Sequence, residues 1–215
     1  MLCKKSLPRL TVVKDLGILV DAKLKFDIHV NNIVSRAHQR ANCIFRCFLS
    51  RDVEWLMRAF LTYVRPLVEY ASPVWNPTAI TLIDKLERVQ RRFTKRLPGY
   101  GQLSYGQRLK QLNLRSLQYR RLVADLSFCY KIFHNLVDVS AVEFFTLIAG
   151  SITRGHSYKL FQQHCRVNAR AHFFVNRVTR VWNSLPPDVV TAENITVFKR
   201  RLASCNLTSY CRLYE

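Results

Sequence analysis

The sequence predicts a mainly α-helical protein that opens with a short β-hairpin and ends in a basic region of mixed structure. Three observations carry this. Apolar residues recur at helical spacing through most of the stretch from Ile28 to Val137. The strand-like runs, Leu10 to Val13 and Leu16 to Val20, lie at the start. Acidic residues are absent between Glu143 and Asp188, while Arg154, Lys159, Arg166, Arg170, Arg177 and Arg180 accumulate there. A chain of 215 residues with 49% hydrophobic and 12% aromatic residues can bury a real core as one domain or two small ones. With Gly 6 and Pro 7 it is neither collagenous nor low in complexity.

In the opening runs, Lys14-Asp15 divide the two strands and Gly17 permits a bulge or close approach. Two strands alone make no stable sheet, so the pair is expected to be poorly protected. From about Ile28, Val30, Ile33, Val34, Ala37, Ala41, Ile44, Phe45 and Phe48 fall within roughly 120° of arc at about 100° per residue, so one helix face is buried. A second helix is expected from Val53 to Tyr70, capped by Asp52 and kinked or split by Pro66. Pro73 and Pro77 close that unit.

The segment from Thr78 to Leu97 separates two faces. Leu82, Ile83, Leu86, Val89, Phe93 and Leu97 form the apolar arc, and Lys85, Arg88, Arg91, Arg92, Lys95 and Arg96 lie opposite. Pro98-Gly99 ends it. Ser104 and Gln107 form a capping box for a short helix to about Leu112. Ser116 caps a helix to about Val137 whose apolar residues wrap most of its circumference, which makes it the central one. After a weaker connector from Asp138 to Ala149, the cationic stretch leads to Trp182-Asn183-Ser184-Leu185-Pro186-Pro187. A last amphipathic helix follows around Ile195, Phe198 and Leu202.

Thirty-four Lys and Arg against 14 Asp and Glu give a net charge of +20, with a pI near 10.2. That balance points to nucleic acid or another anionic surface, and an acidic substrate would also fit. No run approaches the about 18 uninterrupted apolar residues of a membrane span, and MLCKKSLPRL has no apolar region of a signal peptide behind its charges. The expected protein is neither membrane-spanning nor secreted. Its seven irregularly spaced cysteines suit a reduced, intracellular compartment, with nucleus and cytoplasm not distinguished.

Nucleotidyl transfer needs carboxylates that converge on divalent metals. No two acidic residues are adjacent here, and the nearest pairs, Asp52/Glu54 and Asp84/Glu87, sit where helix capping and ion pairing explain them. No phosphate-binding loop, metalloprotease helix or nucleophile elbow occurs. Cys43 and Cys47 stand one helical turn apart, but no second pair completes a zinc site. His156, His164, Cys165 and His172 match no ligand spacing, and a thiol hydrolase built on Cys165 lacks an oriented base. No catalytic residue, metal site or cofactor is assigned. What remains is cationic surface for phosphate contact: Lys85, Arg88, Arg91, Arg92, Lys95 and Arg96, then Arg154, Arg166, Arg170, Arg177 and Arg180. Phe93, Phe173, Phe174 and Trp182 are placed either to stack on bases or to join the core.

Beyond these single features, a co-linear series of blocks resembles the reverse transcriptases of non-LTR, Jockey-like LINE retrotransposons. Lys14-Asp15-Leu16-Gly17-Ile18-Leu19-Val20-Asp21, with Leu24, Phe26 and His29, resembles the passage that leaves the palm. Arg65-Pro66-Leu67-Val68-Glu69-Tyr70-Ala71, Val74-Trp75-Asn76-Pro77 and Val89-Gln90-Arg91-Arg92-Phe93-Thr94 resemble blocks of the thumb. Thr153-Arg154-Gly155-His156, Phe173 to Val178 and Trp182 to Pro186 resemble the C-terminal blocks. The resemblance implies a β remnant of the palm over 1–27, a helical thumb-like domain over 28–137 and a basic C-terminal region over 138–215. It implies contact with RNA or DNA backbone, and with fingers and a palm that these residues do not include. The family's RNA-directed DNA polymerase activity and its Mg2+ belong to that palm, so this chain alone is expected to be inactive. The alternative is a non-enzymatic RNA- or DNA-binding adaptor, or a relic derived from such an element.

Overall fold

In a computed structural model of the chain, which describes residues 10–148, 156, 158–165, 170 and 173–212, β1 (Val12–Asp15) pairs antiparallel with β2 (Ile18–Asp21). Lys14 and Asp15 do not divide the strands. They pair with Leu19 and Ile18 inside the ladder, and the turn falls on Leu16-Gly17. Both turn residues have positive φ, 43° and 91°, as a two-residue hairpin with the right-handed strand twist requires. The hairpin has an anchor outside its own ladder: the Leu19 N–H donates to His29 Nδ1 at 3.2 Å.

Helix α1 (Asp27–Cys47) buries the predicted stripe from Val30 to Phe45, and Val34 and Phe48 pack at its margin. Helix α2 (Val53–Ala59) starts where Asp52 accepts the Trp55 N–H at 3.0 Å. The expected break at Pro66 takes a particular form. Since Pro66 has no N–H to give, the α ladder stops before it and widens into a π turn over Phe60–Val64. The chain then tightens into a 3-10 turn over Arg65–Val68.

Beyond α3 (Ser72–Trp75) come α4 (Ile80–Lys95), α5 (Tyr105–Gln111) and α6 (Leu117–Phe133). The Ser104/Gln107 capping box is present, and Ser116 accepts the Tyr119 N–H at 3.2 Å. Helix α6 stops four residues short of Val137. Asn135 takes a left-handed conformation (φ 51°), and the Leu136 N–H turns back to the Lys131 carbonyl at 2.8 Å, a closure that terminates helices. Short α7 (Ala141–Phe144) is followed by α8 (Phe174–Asn183), α9 (Pro187–Val190) and α10 (Ile195–Ala203). The protein is therefore mainly helical with a short N-terminal hairpin. Among the described residues no helix is long and apolar enough to cross a membrane.

The apolar residues divide into two cores. The first joins α1, α2, its π extension and α4, with Phe93 between Phe45 and Phe60 at ring separations of 4.8 and 4.5 Å. The second runs from Tyr119 to Cys211 and centres on Tyr130, Trp182 and Phe198. Helix α6 gives Leu117 to the first and most of its length to the second. The division between the two cores thus falls near Leu117. Burying each such large apolar side chain contributes about 1.5–3 kcal/mol. Phe93, Phe174 and Trp182 are core residues, whereas Phe173 is 55% exposed.

Candidate nucleic-acid interface

Two amphipathic helices with matching apolar stripes pack side by side, and polar residues fix their alignment. Lys85 Nζ donates to Asn31 Oδ1 at 2.9 Å, and Arg96 Nη1 donates to Asn42 Oδ1 at 2.7 Å, each across 54 positions. His38 faces the charge of Arg92 across the same interval. A constant offset over three turns means that α1 and α4 run parallel. Their outer seam is lined by Lys85, Arg92 and Arg96 from α4 and by Asn31, His38 and Asn42 from α1. Arg96 also lies over the Phe45 ring, 4.0 Å from its centroid. Burial lowers the pKa of His38, and Arg92 beside it lowers it further.

The predicted cations on α4 are not equivalent. Lys85, Arg88, Arg92, Lys95 and Arg96 are exposed, and Arg91 is half-buried. Asp84 takes two of them, Arg88 at 2.6 Å and Arg91 at 3.0 Å. Among the described residues, Arg92 and Lys95 face solvent without a carboxylate partner. In the C-terminal set, Arg154 and Arg166 lie outside the described residues. Arg170 and Arg180 are exposed. Arg177 is turned inward: its side chain is 13% exposed, and it pairs with Asp125 at 2.9 Å and donates to the Pro73 carbonyl at 2.6 Å. Its guanidinium is spent on the fold.

Beneath this face lies a polar network that sequence reasoning missed. Glu87, 1% exposed, accepts the Leu117 and Gln118 N–H groups at 3.0 and 3.1 Å and the Tyr105 hydroxyl. It thereby satisfies the N-terminus of α6. Burial first, and then the Glu87 charge, raise the pKa of Tyr105. Gln90 donates to the Tyr105 hydroxyl at 3.0 Å, and Arg108 donates to Thr94 at 3.1 Å. Glu69 pairs with Arg120, and Asn76 joins Asp125 at 2.9 Å to Arg121 at 3.0 Å. Glu87, Gln90 and Thr94 lie at the edge of the apolar arc of α4, which was the available signal.

Residues of the blocks that carry the resemblance also have internal work. Trp75 Nε1 donates to the Tyr70 carbonyl at 2.8 Å. Asn183 accepts the Leu160 N–H at 2.9 Å and donates to its carbonyl at 2.8 Å, and Trp182 Nε1 reaches the Tyr158 carbonyl at 2.9 Å. Asp52 caps α2, and Glu54 pairs with Arg58 at 3.3 Å. The Cys43 and Cys47 sulfurs lie 3.6 Å apart on the exposed side of α1. Among the described residues no three His, Cys, Asp or Glu side chains are grouped to hold a metal ion.

These features define a basic helical protein with a parallel cationic helix pair mounted on a two-core scaffold. Over 141 residues the chain is 31% identical to a Caenorhabditis elegans protein named Uncharacterized protein B0403.1, and the alignment covers 61% of this chain and 69% of that one. The chain belongs to the family of that nematode protein. No protein-family model and no solved structure matches it.

Proposed function

We propose that the chain binds nucleic acid, as the thumb and C-terminal portion of a LINE-type RNA-directed DNA polymerase without its catalytic palm. The row of cations along the α1/α4 seam carries this reading. Lys85 and Arg96 are 11 residues apart, about 16 Å along a helix at about 1.5 Å per residue. That length spans about five base-pair steps along the axis of a duplex at about 3.4 Å of rise each. Contacts of this kind position a backbone and do not specify sequence. Phe173 beside Arg170 and Arg180 offers a secondary contact with an exposed ring for stacking. The proposal takes RNA or DNA as partner, fingers and palm supplied by other residues, an intracellular setting, and no cofactor held by this chain.

Anisotropy titration of a labelled 20-base-pair duplex across a range of salt concentrations tests it. Binding should weaken linearly in a log-log plot, by about 0.9 per phosphate neutralised. Affinity that is independent of salt, or no binding at low salt, refutes the proposal.

A further inference from the structure

A cleft of about 440 Å3 runs along α6, between α3 on one side and Lys199 of α10 on the other. Two serines in its wall, Ser72 and Ser127, are buried, and neither hydroxyl has a partner. Arg121 also lines the cleft at 1% exposure. Its Nε donates to Asn76, but Nη1 and Nη2 have no hydrogen-bond partner. Buried polar groups in folded proteins are paired with few exceptions, so three of them along one cleft call for an explanation.

The charge around the cleft is out of balance in the same direction. Arg65, Arg120, Arg121 and Arg177 are set against Glu69, Glu87 and Asp125, four guanidinium groups to three carboxylates. Arg115, Lys131 and Lys199 add three further cations to the lining, where Glu69 is the sole carboxylate among the lining residues. Arg115 lies over the Tyr119 ring, 5.2 Å from its centroid, and so is held at the cleft wall. A planar guanidinium and two hydroxyls supply the several donors that a tetrahedral oxyanion accepts. The volume lies within the range of sites that hold small molecules.

We propose that this cleft is a binding site for a phosphoryl group, with Ser72, Ser127 and Arg121 at its base and Arg115, Lys131 and Lys199 supplying the compensating charge. The phosphoryl group belongs either to a free phosphorylated compound or to a nucleic-acid chain. The site is separate from the α4 face, and its existence does not depend on the function proposed above.

Titration of the full chain with pyrophosphate, followed by 31P NMR and calorimetry, tests the site. Saturable one-to-one binding is expected, weakened at least tenfold by Ser127→Ala and by the Lys131→Gln/Lys199→Gln pair. The melting temperature of Ser127→Ala should not fall, because its hydroxyl has no partner to lose. An Arg92→Gln variant should bind pyrophosphate as tightly as the parent chain. Its failure to do so would show general charge attraction and overturn the proposal. So would the absence of saturation, or a Ser127→Ala variant that loses stability and keeps its pyrophosphate affinity. Competition separates the sources. Displacement of pyrophosphate by a 5′-phosphorylated oligonucleotide but not by its 5′-hydroxyl counterpart assigns the group to a nucleic-acid end, and no displacement by either assigns it to a free compound.

Discussion

Neutralising Lys85, Arg92 and Lys95 together, each to Gln, isolates the phosphate-contacting face. These three are chosen from the structure. Arg88 and Arg91 are partly cancelled by Asp84, and Arg96 packs on Phe45, so changing them would disturb the fold as well as the charge. If each of the three makes one phosphate contact, the log-log salt slope should flatten by about 2.7 units. Between about 50 and 200 mM salt, a fourfold change, the parent chain should lose about 40-fold more duplex affinity than the variant. The loss should be alike for unrelated sequences. Stability should change by less than about 0.5 kcal/mol at the exposed Arg92 and Lys95, and by up to about 1 kcal/mol at Lys85, which gives up its bond to Asn31. Fluorescence anisotropy reads the affinity, and circular dichroism reads the helices. An unchanged slope with intact helices refutes the assignment and moves the contact to the face that carries Arg170 and Arg180.

Four other outcomes are expected. Glu87→Ala leaves the Leu117 and Gln118 N–H groups and the Tyr105 hydroxyl without their buried acceptor and should cost about 2–3 kcal/mol in urea unfolding; a loss under about 1 kcal/mol contradicts the network. His29, His38 and His156 all have pKa values lowered first by burial, so the unfolded chain binds more protons as pH falls below about 6.5. Their stabilising contribution is present above that pH and lost below it, and unfolding free energy measured from pH 7.5 to 5.5 should fall; a rise over that range refutes it. Asn183→Ala removes two hydrogen bonds to Leu160 and should cost about 1–3 kcal/mol, read as a lower urea midpoint at unchanged slope. The chain, supplied with primed template, deoxynucleotides and Mg2+, should extend no primer, and extension that survives rigorous purification contradicts this.

The helices were legible because their apolar periods are regular: the stripes of α1 and α4 are buried as the spacing predicts. Features that depend on one residue's backbone were less so. The hairpin turn falls on Leu16, a residue type that seldom takes positive φ, so the charged Lys14-Asp15 pair looked like the better break. Asn135 ends α6 in the same way, ahead of further apolar residues. Partnering at long sequence separation was not legible at all. Arg177 and Arg180 look alike in the sequence, and what separates them is Asp125, 52 positions away from Arg177. The cation row was visible as a helix face, but its alignment with α1 depends on Asn31 and Asn42, which carry no charge pattern to announce it.

Lysine acylation footprinting with and without duplex tests the central claim most directly. Lys85 and Lys95 lie on the α4 face, whereas exposed Lys110 belongs to α5 and to no part of the predicted contact. Bound nucleic acid should protect Lys85 and Lys95 and leave Lys110 as reactive as in the free chain. Equal reactivity of Lys85 and Lys95 in the free and bound states, or uniform protection of all three, would contradict the claim that the α1/α4 seam grips the phosphate backbone.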